Sequence, residues 1–189
     1  SDYRWVIDPL DGTKEFARGV PQFAVNIALE YQKTLIVGVV YFPITDDLYS
    51  CSSGNGAHRN NMKIHVSSVN MLEKSILYVH PPKGSESEET FNNLWLKLRS
   101  VARRVYRMKT GSQDQCYCCW IAQGAYDGYW LPVQYPSWWD IAPLLLLIQE
   151  AGGKVTTEKG SSGTEQNYKT EGIVASNGKL HKELIQLIK

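Results

Sequence analysis

The chain has no excess of charge of either sign, no apolar run of membrane-spanning length and few cysteines. Lys and Arg number 20 against 19 Asp and Glu, a formal net charge of +1 at pH 7. That balance leaves no footprint for a nucleic-acid polymer and no basic face for a membrane surface. The leucine-rich run Leu144–Ile148 is far short of the ~20 residues that cross a bilayer, so it belongs in a core. No signal-peptide pattern is present, although the sequence opens Ser1-Asp2-Tyr3 rather than on Met. There is no Asn-x-Ser/Thr sequon, no internal repeat and no low-complexity tract. Of four cysteines, three crowd at Cys116, Cys118 and Cys119. Cys116-x-x-Cys119 formally matches a redox or half-zinc pattern. A redox pair opens a helix, whereas here Ser112 is placed to open one a turn earlier. Cys51 and the four histidines show no zinc-ligand spacing. Buried packing in a reducing compartment is the expected role, and this points to a cytoplasmic protein.

What is present is concentrated in Trp5-Val6-Ile7-Asp8-Pro9-Leu10-Asp11-Gly12-Thr13. A buried strand explains Tyr3 to Ile7 but not two carboxylates three positions apart at its end. Pro9 ends the ladder and fixes φ, and Gly12 permits a tight turn. Such a turn can fold Asp8 and Asp11 toward one point. Two carboxylates held together repel unless a cation lies between them, and hard ions such as Mg²⁺ take oxygen ligands of this kind. The alternative is an ordinary Asp-Gly turn with Asp11 bonding its own backbone, which needs only one aspartate.

A second segment reads Trp139-Asp140-Ile141-Ala142, then Leu144 to Ile148, then Glu150-Ala151-Gly152-Gly153. Its broad apolar character predicts a helix buried nearly all round, stopped by the glycine pair. Asp140 stands where a carboxylate caps free N–H groups and meets the positive end of the helix dipole. Pro143 is expected in the first turn, where proline is tolerated. A third segment, Lys109-Thr110-Gly111-Ser112, precedes a helix-length stretch to Gln123, with Ser112 as a natural N-cap.

These three segments, in this order, resemble the inositol monophosphatase superfamily. The Asp8–Thr13 string is similar to its first metal motif, D-P-[IL]-D-G-T, and Trp139-Asp140 with Glu150-Ala151-Gly152-Gly153 to its second. The resemblance runs from Trp5 to the end, through Asn26-Ile27-Ala28-Leu29, Gly38-Val39-Val40-Tyr41, Gly54–Ile64 and Ala175-Ser176-Asn177. It implies that Asp8, Asp11, Asp140 and the Leu10 carbonyl hold metal, two or three Mg²⁺ ions in the complete site. It implies Asp11 and Thr13 as catalytic residues, Thr13 orienting the attacking water. Gly12, Thr13, Gly111 and Ser112 would face the phosphate. For Asp140 taken alone, capping is the better reading, and the metal-ligand role is what the resemblance implies.

The coarse layout places strands at 3–8, 22–30, 35–42, 47–51, 75–79, 103–107, 126–131, 153–157 and 172–176. It places helices near 86–100, 112–123, 139–151 and 178–188. A strand-rich meander gives way to alternating strands and helices, which predicts a layered α/β fold. Gly54–Ile64 reads as a loop and Lys159–Asn167 as a Gly/Ser-rich surface loop. Ser52-Ser53-Gly54-Asn55-Gly56 lacks the Gly-Lys-Ser/Thr ending of a phosphate cradle, and a hairpin turn is expected there. Pro81–Glu89 reads as a junction between a metal-binding sub-domain at 1–82 and an α/β sub-domain at 83–189.

The resemblance implies an αβαβα sandwich of the sugar-phosphatase type with mixed sheets. It also implies an N-terminal pair of helices and a hairpin carrying a bridging glutamate, which this sequence does not match; Glu15 and Glu30 lie downstream. The expectation is therefore a fragment, or an ordered part, that holds Mg²⁺ weakly and leaves one apolar sheet face bare or covered by a neighbour. The implied activity is Mg²⁺-dependent hydrolysis of a small phosphate monoester by a homodimer. Asp11–Phe16 looks like the 3′(2′),5′-bisphosphate nucleotidase branch and Arg18–Phe23 like the inositol monophosphatase branch. Leu131–Ser137, where substrates are told apart, matches neither. A non-catalytic homologue acting in binding or assembly is the alternative.

Overall fold

The structure, a computed structural model, describes residues 1–111, 113–132 and 137–189. The first half forms an antiparallel meander of β1 (Tyr3–Asp11), β2 (Ala24–Tyr31), β3 (Thr34–Phe42), β4 (Asp47–Ser52), β5 (Ala57–Arg59) and β6 (Met62–Ile64), paired in chain order. Alternation sets the faces of these strands: in β2, Ala24, Asn26, Ala28 and Glu30 are buried while the residues between them are less so. The tight corners at Gln32-Lys33 and Asn60-Asn61 have positive φ, 47° and 67° and then 48° and 66°. Two successive left-handed residues match the twist of an antiparallel hairpin.

The second sheet contains β7 (Ile76–Val79), β8 (Arg107–Thr110), β9 (Gly128–Leu131), β10 (Lys154–Thr156) and β11 (Ile173–Ser176), in the order β10-β11-β9-β7-β8. β7 runs parallel to β8 and β9, and the other pairs are antiparallel, so the sheet is mixed. Between the sheets lie α3 (Asp114–Ala122) and α4 (Trp138–Glu150). α4 packs on β1 to β5 on one side and on β10 and β11 on the other. Every residue from Ile141 to Ile148 is buried, as its unbroken apolar character requires. On the far face of the second sheet, α2 (Glu88–Ala102) and α6 (His181–Leu187) set Leu98, Val101 and Leu184 against Leu77, Val79, Trp130 and Val174. The described layers are thus sheet, helices, sheet, helices. The outer face of the first sheet shows Tyr3, Trp5 and Ile7 at 56%, 62% and 52% exposure.

Four expectations are corrected and one unanticipated element appears. The strand expected at 103–107 lies at 107–110, because α2 runs on to Ala102. The stretch 54–64 is not all loop, since it contains β5 and β6. Helix α5 (Glu165–Glu171) begins inside the expected surface loop, with a Thr164/Asn167 capping box, and seats Tyr168 against Trp138. A short helix, α1 (Thr13–Ala17), follows the first aspartate motif. Pro143 sits in the second turn of α4, not the first. It gives no hydrogen bond to the carbonyl four residues back.

That second-turn proline also fixes how closely α4 meets the sheet. A Cβ on Gly38 of β3 would stand 2.9 Å from the Pro143 carbonyl oxygen and 3.0 Å from Cys51 Sγ. Backbone cannot give way as a flexible side chain can. Gly38→Ala should therefore cost about 1–3 kcal/mol, read as a lowered midpoint in denaturant, and Cys51→Ala should not rescue it. An unchanged midpoint would show that α4 can move off the sheet freely.

Candidate metal-binding active site

In a regular strand, residues three apart face opposite sides. Asp8 and Asp11 escape this because β1 is irregular between them: Asp8 pairs with Asn26, and pairing resumes at Asp11 with Ala24. Two residues on β1 oppose one on β2, and the extra residue turns Asp11 to the side of Asp8. The Leu10 N–H donates to Asp8 Oδ1 at 3.0 Å, closing the local turn. Gly12 follows at φ 85°, ψ 34°, and a Cβ there would lie 2.6 Å from the Gln22 carbonyl oxygen. Only glycine fits both demands. Thr13 then opens α1, exposed to solvent.

Asp140 arrives from the other side, at the third position of α4. Its Oδ2 accepts the Ser137 N–H at 2.8 Å in a capping box. Capping therefore does occur, and it leaves the carboxylate in the cluster as well. One carboxylate oxygen from each of Asp8, Asp11 and Asp140 lies within 4.8 Å of the other two. Residues 132 positions apart in the chain thus share one acidic site, the one such group among the described residues.

Proximity without full hydration changes their titration. Burial, then the charges of Asp114 and Asp140, push the Asp11 carboxyl up to about 8 from its ordinary 3.8. Burial and the hydrogen bond with Asp8 push Asp140 up to about 7, against the Ser137 N–H, which favours the anion. A cluster that retains protons near neutrality is one whose negative charge lacks a counterion. The donors are all hard oxygens, with no thiol or imidazole among them, which fits a divalent ion of the Mg²⁺ type and disfavours soft metals.

Gly111 lies in the approach to α3, where a Cβ would stand 3.6 Å from the Tyr78 hydroxyl. Ser112 falls outside the described residues, as do residues 133–136 of the expected substrate-discriminating stretch; the cap position of α3 is Gln113. Cys116 therefore lies in the first turn of α3, so helix position is not what argues against a redox pair. Burial is: Cys116, Cys118 and Cys119 are free and buried, and burial raises all three thiols, Cys116 to about 12. The Gly54–Gly56 turn holds no room for a phosphate, because the Glu150 carboxylate accepts both glycine N–H groups at 2.9 Å.

Three further residues went unnoticed in the sequence. Asn26 Nδ2 donates to Asp11 Oδ2 at 2.9 Å. Asp114, buried on α3, accepts from the Tyr129 hydroxyl at 2.8 Å and pairs with His80 Nε2 at 2.6 Å. Its charge is the first carboxylate influence on Asp11. Gln115, fully buried beside Gly12, has no partner for either amide atom among the described residues. For Asn26 a signal existed: it is polar at an inward-facing register of β2, where a buried polar group needs a specific partner.

Two sheets around a buried helical layer, with an all-oxygen acidic site where a strand end meets a helix start, define a layered α/β protein of the sugar-phosphatase type. The chain belongs to the inositol monophosphatase family, whose sequence profile matches residues 1–189. An inositol-1-monophosphatase of Mesorhizobium japonicum is 34% identical over 189 residues, covering 100% of this chain and 68% of that protein. The Nus factor SuhB of Pseudomonas aeruginosa is 35% identical over 190 residues, covering 100% of this chain and 68% of its own. The solved inositol monophosphatase of Anabaena superposes with a TM-score of 0.88 at 32% identity, over 100% of this chain and 72% of that one. The family is one of metal-dependent phosphatases acting on phosphate monoesters, which places this chain among the hydrolases. No helix among the described residues is long and apolar enough to cross a membrane.

The raised carboxyls make cation binding proton-coupled. Between pH 6.5 and 8.5 Asp11 and Asp140 lose the protons that a cation must displace. Divalent-cation affinity should therefore rise about tenfold or more across that interval, measured by calorimetric titration of metal-stripped protein. Affinity independent of pH would mean that the cluster is already ionised.

Proposed function

We propose that this protein hydrolyses a small phosphate monoester with Mg²⁺ held by Asp8, Asp11, Asp140 and the Leu10 carbonyl. The observation that carries this reading is the convergence of three carboxylates from two distant segments. Bound Mg²⁺ supplies charge neutralisation of the dianionic ester and a water acidified for in-line attack. The chain's own residues do the rest. Asp8 and Asp11 present their charge at the end of β1, and Asp140 holds the same point from α4 while its capping bond fixes its rotamer. Asp11 and Thr13 are the catalytic pair, the Thr13 hydroxyl orienting the attacking water. The Gly12 and Thr13 N–H groups, with Gly111, would contact the phosphate oxygens, and the family resemblance assigns Ser112 to the same role. No residue becomes covalently phosphorylated.

For the substrate we propose inositol monophosphate or 3′-phosphoadenosine 5′-phosphate. Relatives named inositol monophosphatase support the first, and Lys14-Glu15-Phe16 supports the second. A relative named as a Nus factor favours a second reading, in which the chain acts in binding or assembly without catalysis.

Phosphate release from inositol 1-phosphate, adenosine 3′,5′-bisphosphate and fructose 1,6-bisphosphate, with Mg²⁺ present, separates these readings. At least one should be turned over, and Asp140→Asn should lower kcat by about 10²- to 10⁴-fold, the loss of several kcal/mol of charge stabilisation. Turnover of none of the three selects the non-catalytic reading. Equal turnover by Asp140→Asn removes Asp140 from the metal set.

A further inference from the structure

We infer that Asn26 is a positioning residue of the acidic cluster, its side-chain amide tying Asp11 to the start of α4 at the spacing a divalent cation needs. The inference rests on the metal-centre reading proposed above. Asn26 lies on β2 opposite Asp8. Its Nδ2 donates at 2.9 Å to Asp11 Oδ2 and at 3.3 Å to the backbone carbonyl of Asp140. An amide nitrogen carries two hydrogens, one for each acceptor. Both neighbours are acceptors, so nitrogen rather than oxygen must face them. A single side chain thus joins the strand half of the cluster to its helix half, across 114 residues of sequence.

The arrangement has a cost that locates its purpose. Asn26 is fully buried, and its Oδ1 has no partner among the described residues. A buried polar atom left unpaired costs about 1–3 kcal/mol. Its neighbours on the same face of β2 are Ala24 and Ala28, so an apolar side chain would suit the layer better. What an apolar side chain cannot supply is a donor to both halves of the site. The hydrogen bond occupies one oxygen of Asp11 and stops that carboxylate from rotating. It also offsets part of the repulsion that would spread Asp11 and Asp140, because an N–H dipole aimed at a carboxylate oxygen stabilises its negative charge.

Mg²⁺ titration calorimetry of metal-stripped wild-type protein, Asn26→Leu, Asn26→Ser and Asn26→Asp, with thermal melting in the absence of metal, tests this. Asn26→Leu should bind Mg²⁺ about 10–100-fold more weakly, a loss larger than any accompanying change in metal-free stability explains. Asn26→Ser, which keeps one donor, should fall between. Asn26→Asp should also bind more weakly, despite its added negative charge, because it turns an acceptor toward two acceptors. Tighter binding by Asn26→Asp would make position 26 a ligand position and overturn the inference. So would a lowered melting temperature in Asn26→Leu with Mg²⁺ affinity within about twofold of wild type. Wild-type protein that binds no Mg²⁺ would overturn the metal-centre reading itself, and that failure is recognisable because it appears before any substitution.

Discussion

Mutual repulsion among three carboxylates is the constraint on which the architecture turns. Left to itself, an acidic cluster of this density would open, since unlike charges are missing and water is partly excluded. Each member is instead held by a bond from an independent element. Asp8 is gripped by its own turn, Asp11 by Asn26 on the neighbouring strand, and Asp140 by the N-cap of α4. Raised carboxyls at Asp11 and Asp140 record burial first and that enforced proximity second. Energy withheld from the metal-free fold is available to whatever cation relieves it, which is the usual way a site acquires affinity from folding.

The enforcement depends on α4 being immovable. It is buried on both sides, touching five strands of the first sheet and two of the second. Trp138 adds a polar tie, donating from its indole N–H at 2.8 Å to Glu30, which Arg4 also engages. Close approach at Gly38 and Pro143 completes the fit. A helix clamped at this many points delivers its first turn to one place, and Asp140 is in that turn. The same packing places Cys118 and Cys119 of α3 in the core shared with α4, with their thiols kept protonated by burial.

Asp114 enlarges the acidic environment without being in the cluster. His80, just past the carboxyl end of β7, and Tyr129, inside the parallel neighbour β9, hold it at the start of α3. Ligand sites in α/β folds collect at such strand ends because loops and helix starts meet there. Here the ends of the second sheet and of β1 are brought to the same region, so the two sheets contribute to one site although each has its own hydrogen-bonding system.

The sequence by itself determined the elements whose causes are local. Side-chain patterning marked the four longer strands of the meander, β1 to β4. The run Leu144–Ile148 required a helix buried all round, and the Asp8–Thr13 and Trp139–Gly153 strings named the carboxylates. Side-chain period and helix-ending glycines act within a few residues, so they can be read along a line. The short strands at 57–59 and 62–64 and the helix at 165–171 were not legible, because pairing partners and packing surfaces decide such elements. Only the tertiary structure decided that Asp8, Asp11 and Asp140 share one point, since a bulge in β1 had to reverse the strand's alternation. It alone decided that Asn26 faces them: a polar residue in an apolar register shows that a partner exists, but the partner lies 114 residues away, and only folding brings it within hydrogen-bond reach.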